Sequence, residues 1–148
     1  MKNTFKITLK PGEKIYVNGA VIRTDRKVSL EFMNDVQFLL ETHVMQPDQA
    51  RTPLRQLYFI VQVMLMSPQD GDDARSMFRK SLPRLIESFS SDEIKTDLKQ
   101  VDQLVSEGQV FEAMKLLRTL FAQEDAIMTG HVPTPRAQYE APQLLAGE

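Results

Sequence analysis

A group of cationic side chains with one tyrosine among them is the chemistry nearest the amino end of this chain. Phe5, Ile7 and Leu9 alternate with Lys6, Thr8 and Lys10, and Ile15 and Val17 alternate with Lys14 and Tyr16. A period of two belongs to a half-buried β-strand, so the apolar set takes the core while Lys6, Thr8, Lys10, Lys14 and Tyr16 share the opposite face. Arg23, Arg26 and Lys27 follow closely. Such a face can neutralise phosphates with its cations and stack an unpaired base on the tyrosine ring, the mode by which single-stranded RNA is commonly held. The same lysines also suit an ordinary solvated sheet face, and the pattern by itself favours that plainer reading.

Other reactive residues are missing or badly spaced. The chain has no cysteine, which removes disulfides, thiolate–zinc sites and cysteine nucleophiles, and suits a reducing cytoplasm. His43 and His131 lie far apart and neither has metal-ligand spacing. Asp70, Asp72 and Asp73 lack the remaining ligands of a calcium loop and read as a solvated turn leading into the acidic start of a helix. Asn18-Gly19 and Asp70-Gly71 are isolated turn glycines, not phosphate-cradling loops, and no serine sits in a nucleophile elbow. An enzyme is therefore the least supported class, and no cofactor or metal is expected. The eight methionines suit core filling better than an adaptable partner-binding groove.

An apolar fraction of 42% and a charged fraction of 26% are ordinary for a soluble globular chain of 148 residues. The net charge of −2 hides an asymmetry. Residues 1–52 carry eight Lys/Arg against six Asp/Glu, and residues 53–148 carry ten against fourteen, so an anionic partner should prefer the front. The longest apolar run, Leu57 to Met66, is interrupted by Gln62 and is far shorter than the roughly 20 residues that span a bilayer. The start passes straight into alternation with no apolar core or small-residue cleavage site, so no secretory signal is expected. A cytoplasmic protein with no membrane partner is expected.

The elements that must position these residues follow from the punctuation. Pro11-Gly12-Glu13 turns the chain after the first strand, and Asn18-Gly19 between apolar runs predicts a two-residue hairpin. Val28, Leu30 and Phe32, then Val36, Phe38 and Leu40, continue the alternation. Thr52 can cap a helix that starts at Pro53, where a missing N–H costs nothing, and runs to about Met66. Met77, Leu82, Leu85, Ile86 and Phe89 mark a second helix that Pro83 is placed to kink. Ser90 with Glu93 reads as a capping box before the stripe Ile94, Leu98, Val101, Leu104 and Val105, which Gly108 ends. Val110, Met114, Leu117, Leu120 and Phe121 define a last helix to about Asp125. The expected fold is α+β, an antiparallel meander of about five strands followed by a bundle of about four helices. Its divisions are a β-stranded part at 1–50, a helical part at 51–128 and a disordered tail at 129–148.

Met45-Gln46-Pro47-Asp48-Gln49, then Thr52-Pro53 and Tyr58-Phe59, resembles the signature of the FlbT family of flagellum biosynthesis regulators. Leu9-Lys10-Pro11-Gly12-Glu13-Lys14 and Val17-Asn18-Gly19-Ala20-Val21 resemble that family's first strands. Glu112-Ala113-Met114-Lys115, Glu124-Asp125 and Gly130-His131 fit its helical end. The resemblance implies a post-transcriptional regulator that associates with the 5′ untranslated region of flagellin mRNA and changes its translation and lifetime, usually as a repressor and in some relatives as an activator. The front also looks like the small β-stranded carbon-storage regulators, which bind messenger leaders, and this would put RNA on the sheet. Lys6, Lys10, Lys14, Arg23, Arg26 and Lys27 are the expected phosphate contacts, with Tyr16 for stacking. Arg51 and Arg55 flank the junction and either extend that face or pair with nearby acids. The competing class is a chaperone-like interaction module, whose helical half would hold flagellin or another flagellar regulatory protein in an apolar groove. A homo-oligomer is compatible with either.

Overall fold

Asn18 and Gly19 both have positive φ, 50° and 86°, and close the hairpin between Lys14–Val17 (β2) and Ala20–Arg23 (β3). A turn with both central residues left-handed matches the twist of the flanking strands, which is why Asn-Gly suits that position. A computed structural model describes residues 5–34 and 36–130. The other strands are Phe5–Leu9 (β1), Val28–Phe32 (β4) and Phe38–Leu40 (β5). Four helices follow: Pro53–Met66 (α1), Gly71–Ser88 (α2), Asp92–Ser106 (α3) and Val110–Thr129 (α4). The chain is α+β, five antiparallel strands and then four helices. Residues 131–148, most of the segment read as a disordered tail, lie outside the described residues.

The strands do not pair in simple succession as a meander would. β1 pairs with β4, placing Phe5 opposite Phe32 and Leu9 opposite Val28, while β2 lies between β3 and β5. Alternation marks the two faces of a strand but does not name its partner, so this pairing was not readable from sequence. The two small sheets face each other across Leu9, Ile15 and Phe38, with the Phe38 ring 5.5 Å from Phe5 and 5.1 Å from Phe32. Among the described residues only those three side chains are buried there, and Phe111 of α4 completes the cluster by stacking on Phe38 at 4.7 Å. So small a core does not stand alone, and the sandwich depends on the helices beside it.

The larger core lies among the helices. α1 packs on α2 and α4, α3 packs on α4, and Tyr58, Phe78, Leu98, Met114 and Leu117 are buried between them. Thr52 caps α1 as expected, accepting from the Arg55 amide. The cap of α3 is Ser91, one residue beyond the expected Ser90, because its hydroxyl reaches the Ile94 amide at 3.2 Å. α2 continues through Pro83, which lies on the exposed side of the helix. Gly108, at φ 79°, ends α3 by letting the Gln109 amide reach back to the Leu104 carbonyl. α4 runs to Thr129, past the expected end near Asp125, and stops where Gly130 takes the left-handed conformation.

Between sheet and helices runs the junction around residues 41–53. Gln62, buried inside α1, acts toward Met45 as a strand neighbour would. Its Oε1 accepts from the Met45 amide at 2.7 Å and its Nε2 donates to the Met45 carbonyl at 2.9 Å. Tyr58, one turn earlier, donates to the His43 carbonyl at 2.6 Å. Two side chains of α1 thereby satisfy an extended segment that has no ladder of its own. Replacing Gln62 by leucine keeps the volume but leaves two buried backbone groups unpaired, and the expected loss is about 2–4 kcal/mol. Urea unfolding should show a lower midpoint at an unchanged slope; a midpoint equal to that of the parent chain would contradict this role for Gln62.

Candidate nucleic-acid interface

The turn after β1 and the loop after β3 are held together at one end of the sandwich. The Gly12 amide donates to the Thr24 carbonyl at 2.7 Å, the Thr24 hydroxyl reaches the Lys10 carbonyl at 3.3 Å, and Lys14 stands opposite Arg23 in the ladder. Gly12, at φ 79°, makes the turn possible. The result is a tip that gathers Lys10, Lys14, Arg23, Arg26 and Lys27, all exposed except the half-buried Lys14. It is the end of the β2–β3 hairpin away from the Asn18-Gly19 turn, which abuts Pro68 between α1 and α2.

The acids near this tip are already engaged. Glu13 accepts from the Lys10 amide at 2.9 Å, Glu41 accepts from the Lys14 amide at 2.8 Å, and Asp25 pairs with Arg26 at 3.2 Å. Among the described residues, the side chains of Lys10, Lys14, Arg23 and Lys27 have no ion-pair partner. Lys14 and Arg23, like charges in direct cross-strand contact, repel one another, a cost that an anion placed between them would relieve. The tip thus offers phosphate neutralisation, a contact that falls off steeply with salt.

The remaining expected residues are dispersed. Lys6 sits at the far end of β1, opposite Glu31 in register. Tyr16 is half-buried and packs on the helical core beside Leu39, since the outer face of β2 is covered by helices. It therefore does not stand with Lys6, which lies on β1 in the other sheet, and it adds no stacking ring to the basic tip. Arg51 donates to the Asp48 carbonyl within its own turn. Arg55 is buried: it forks onto Asp125 at 2.8 and 3.0 Å, lies 3.6 Å from Glu124, and covers the Phe121 ring at 4.6 Å. Of the two readings left open for Arg55, pairing with acids is the one observed.

The displaced protonation of His43 and of Glu124, among the three groups so shifted, escaped sequence reasoning. Burial, with the Arg118 guanidinium nearby, lowers the pKa of His43 to about 4, so this histidine is neutral near pH 7. Burial raises the pKa of Glu124, against the opposing effect of its hydrogen bonds from Thr52 and the Leu54 amide. Among the described residues no group of three or more His, Asp or Glu could hold a metal, and no helix is long and apolar enough to cross a membrane.

Comparison with known proteins places this architecture. The profile of the family described as "Flagellar protein FlbT" matches residues 5–128. A protein of Mesorhizobium japonicum named "Probable flagellum biosynthesis repressor protein FlbT" is 61% identical over 137 residues, 93% of each chain. Proteins of the same name from Chelativorans and Agrobacterium fabrum are 60% identical over 129 residues and 55% identical over 135 residues. These matches cover 87% of this chain and 89% of the first relative, and 91% of each chain for the second. The chain belongs to the FlbT family. No solved structure matches it.

The lowered His43 pKa sets a pH dependence. Between about 6.5 and about 4 the unfolded chain takes up the proton that the folded chain refuses, so the His43 contribution makes stability decline as pH falls through that window. Glu124 acts in the opposite sense, because its raised pKa lets the folded chain protonate before the unfolded one. Thermal melts at pH 7 and pH 5 should show a drop that is smaller in His43→Gln; an identical drop in both proteins would count against this assignment.

Proposed function

We propose that this protein regulates flagellum biogenesis after transcription, by binding the 5′ untranslated region of flagellin mRNA through its basic tip and altering translation and stability of the message, usually as a repressor. The observation that carries this reading is the convergence of Lys10, Lys14, Arg23, Arg26 and Lys27 at one end of the sandwich, four of them without an ion-pair partner among the described residues. Phosphate contacts supply affinity and register but no sequence information, so discrimination between messengers would come from RNA shape. The reading requires no catalytic step: a leader occupied by protein excludes ribosomes, and the exposed message then decays by the cell's own nucleases. Such a binder works in the cytoplasm.

A second reading draws on an open apolar groove of about 600 Å³ between α1 and α2, lined by Leu57, Phe59, Ile60, Met77 and Leu85. Met77 is 56% exposed there. Such a groove fits the apolar face of a helix from flagellin or another flagellar regulatory protein. Salt separates the two readings, since phosphate binding weakens steeply with it and apolar docking does not.

Lys10→Glu/Lys14→Glu should bind a labelled flagellin leader about tenfold or more weakly in gel-shift titrations, with a salt slope smaller by about two. The chain should remain folded, since Lys10 is exposed and it is the Lys14 amide, not its side chain, that donates to Glu41. Binding equal to that of the parent chain would remove the tip from the interface. Absence of binding by the parent chain would remove direct RNA recognition.

A further inference from the structure

Away from the basic tip, a cavity of about 660 Å³ opens between the sandwich and the start of α4. Its apolar wall is an aromatic array: Phe38 stacks on Phe111 and is flanked by Phe5 and Phe32. Phe5 is 50% exposed, so part of that wall is open to water. Two cations one turn apart on α4, Lys115 and Arg118, line the same cavity, with Glu112 the one carboxylate among its described lining residues.

Arg118 is half-buried, and among the described residues it has no carboxylate partner. Its one hydrogen bond runs from Nη1 to the Tyr58 hydroxyl at 2.9 Å, and that hydroxyl in turn donates to the His43 carbonyl. The guanidinium is thus held in place with donors to spare. Elsewhere in this chain a buried guanidinium is neutralised: Arg55 has both Glu124 and Asp125. A partly desolvated cation without a counter-ion is unfavourable, and an incoming anion would remove that cost. Lys115 contributes a second positive charge, held only loosely by Glu112 at 3.6 Å with both side chains about half exposed. His43 also lines the cavity and, neutral near pH 7, adds no charge of its own.

We infer that this cavity is a binding site for a small amphiphilic anion, its flat or aliphatic body lying on Phe5, Phe38 and Phe111 and its anionic group meeting Arg118 and Lys115. An apolar pocket with a few convergent polar groups is the usual form of a small-molecule site. Charge-assisted hydrogen bonds from a preset guanidinium fix the head, and the aromatic wall supplies most of the buried area. The site is independent of the RNA interface and does not rest on it.

The test is fluorescence titration of the full chain with the aromatic sulfonate anilinonaphthalene sulfonate, beside the uncharged analogue phenylnaphthylamine. Saturable binding at one site is expected, about tenfold weaker in Lys115→Glu and in Arg118→Gln, and about tenfold weaker for the uncharged analogue. Met77→Glu, in the separate groove between α1 and α2, should leave it unchanged. Lys115 is exposed and barely paired, so its variant carries the test even where Arg118→Gln lowers the melting temperature. No saturable binding, equal affinity for the uncharged analogue, or loss in Met77→Glu with retention in Lys115→Glu would overturn the assignment.

Discussion

A carboxylate that is 1% exposed has to be matched on every side, and Glu124 near the end of α4 is matched by the start of α1. It accepts from the Thr52 hydroxyl and from the Leu54 amide at 2.8 Å, while Arg55 supplies the charge and forks onto Asp125 next door. Thr52 and Leu54 belong to the first turn of α1, where unsatisfied amides and the helix dipole favour a negative charge. The bond therefore joins the last helix to the first at a fixed point, across about seventy residues of chain. Breaking one partner leaves the others buried and uncompensated, which is the costly way to lose such a network.

From that fixed start, α1 sets everything upstream. Tyr58 and Gln62 lie one turn apart on the helix and hold the His43 and Met45 backbone, so the chain arriving from β5 meets α1 at one angle. Pro47 begins a short helical turn at Pro47–Gln49, in which the Gln46 amide donates to the Gln49 side chain at 2.7 Å. Pro53 begins α1 itself. With β5 anchored, β2 beside it is covered on both faces: Ile15 and Val17 turn to the other sheet, and Tyr16 turns to the helices. The hairpin turn abuts Pro68, so its opposite end, with the basic residues, is the part left facing solvent.

Much of this was legible in the chain. Asn18-Gly19 named the hairpin because no other pair so readily accepts two left-handed residues, and Thr52-Pro53 named the first turn of α1 because cap and fixed φ agree. What escaped was non-local. Alternation separates Tyr16 from Ile15 but cannot tell that both faces of β2 are covered, which is why Tyr16 was expected beside the lysines. Arg55 was ambiguous because its burial depends on Asp125, seventy positions away. The displaced protonation of His43 depends on its burial and then on Arg118, both set by a helix whose neighbour no period reveals. Conversely, the tip emerged more coherent than the sequence suggested, since the Gly12–Thr24 hydrogen bond joins two loops that are separate in the chain.

The helices hold the sandwich so that one basic end faces solvent, and that end is where we propose flagellin RNA binds. The most direct measurement is amide chemical-shift mapping of the full chain titrated with a flagellin leader RNA. The account predicts shifts confined to residues 10–14 and 23–27, fading as salt is raised. Shifts centred on α1 and α2 around Ile60 and Met77, or none at the tip while RNA is bound, would contradict it.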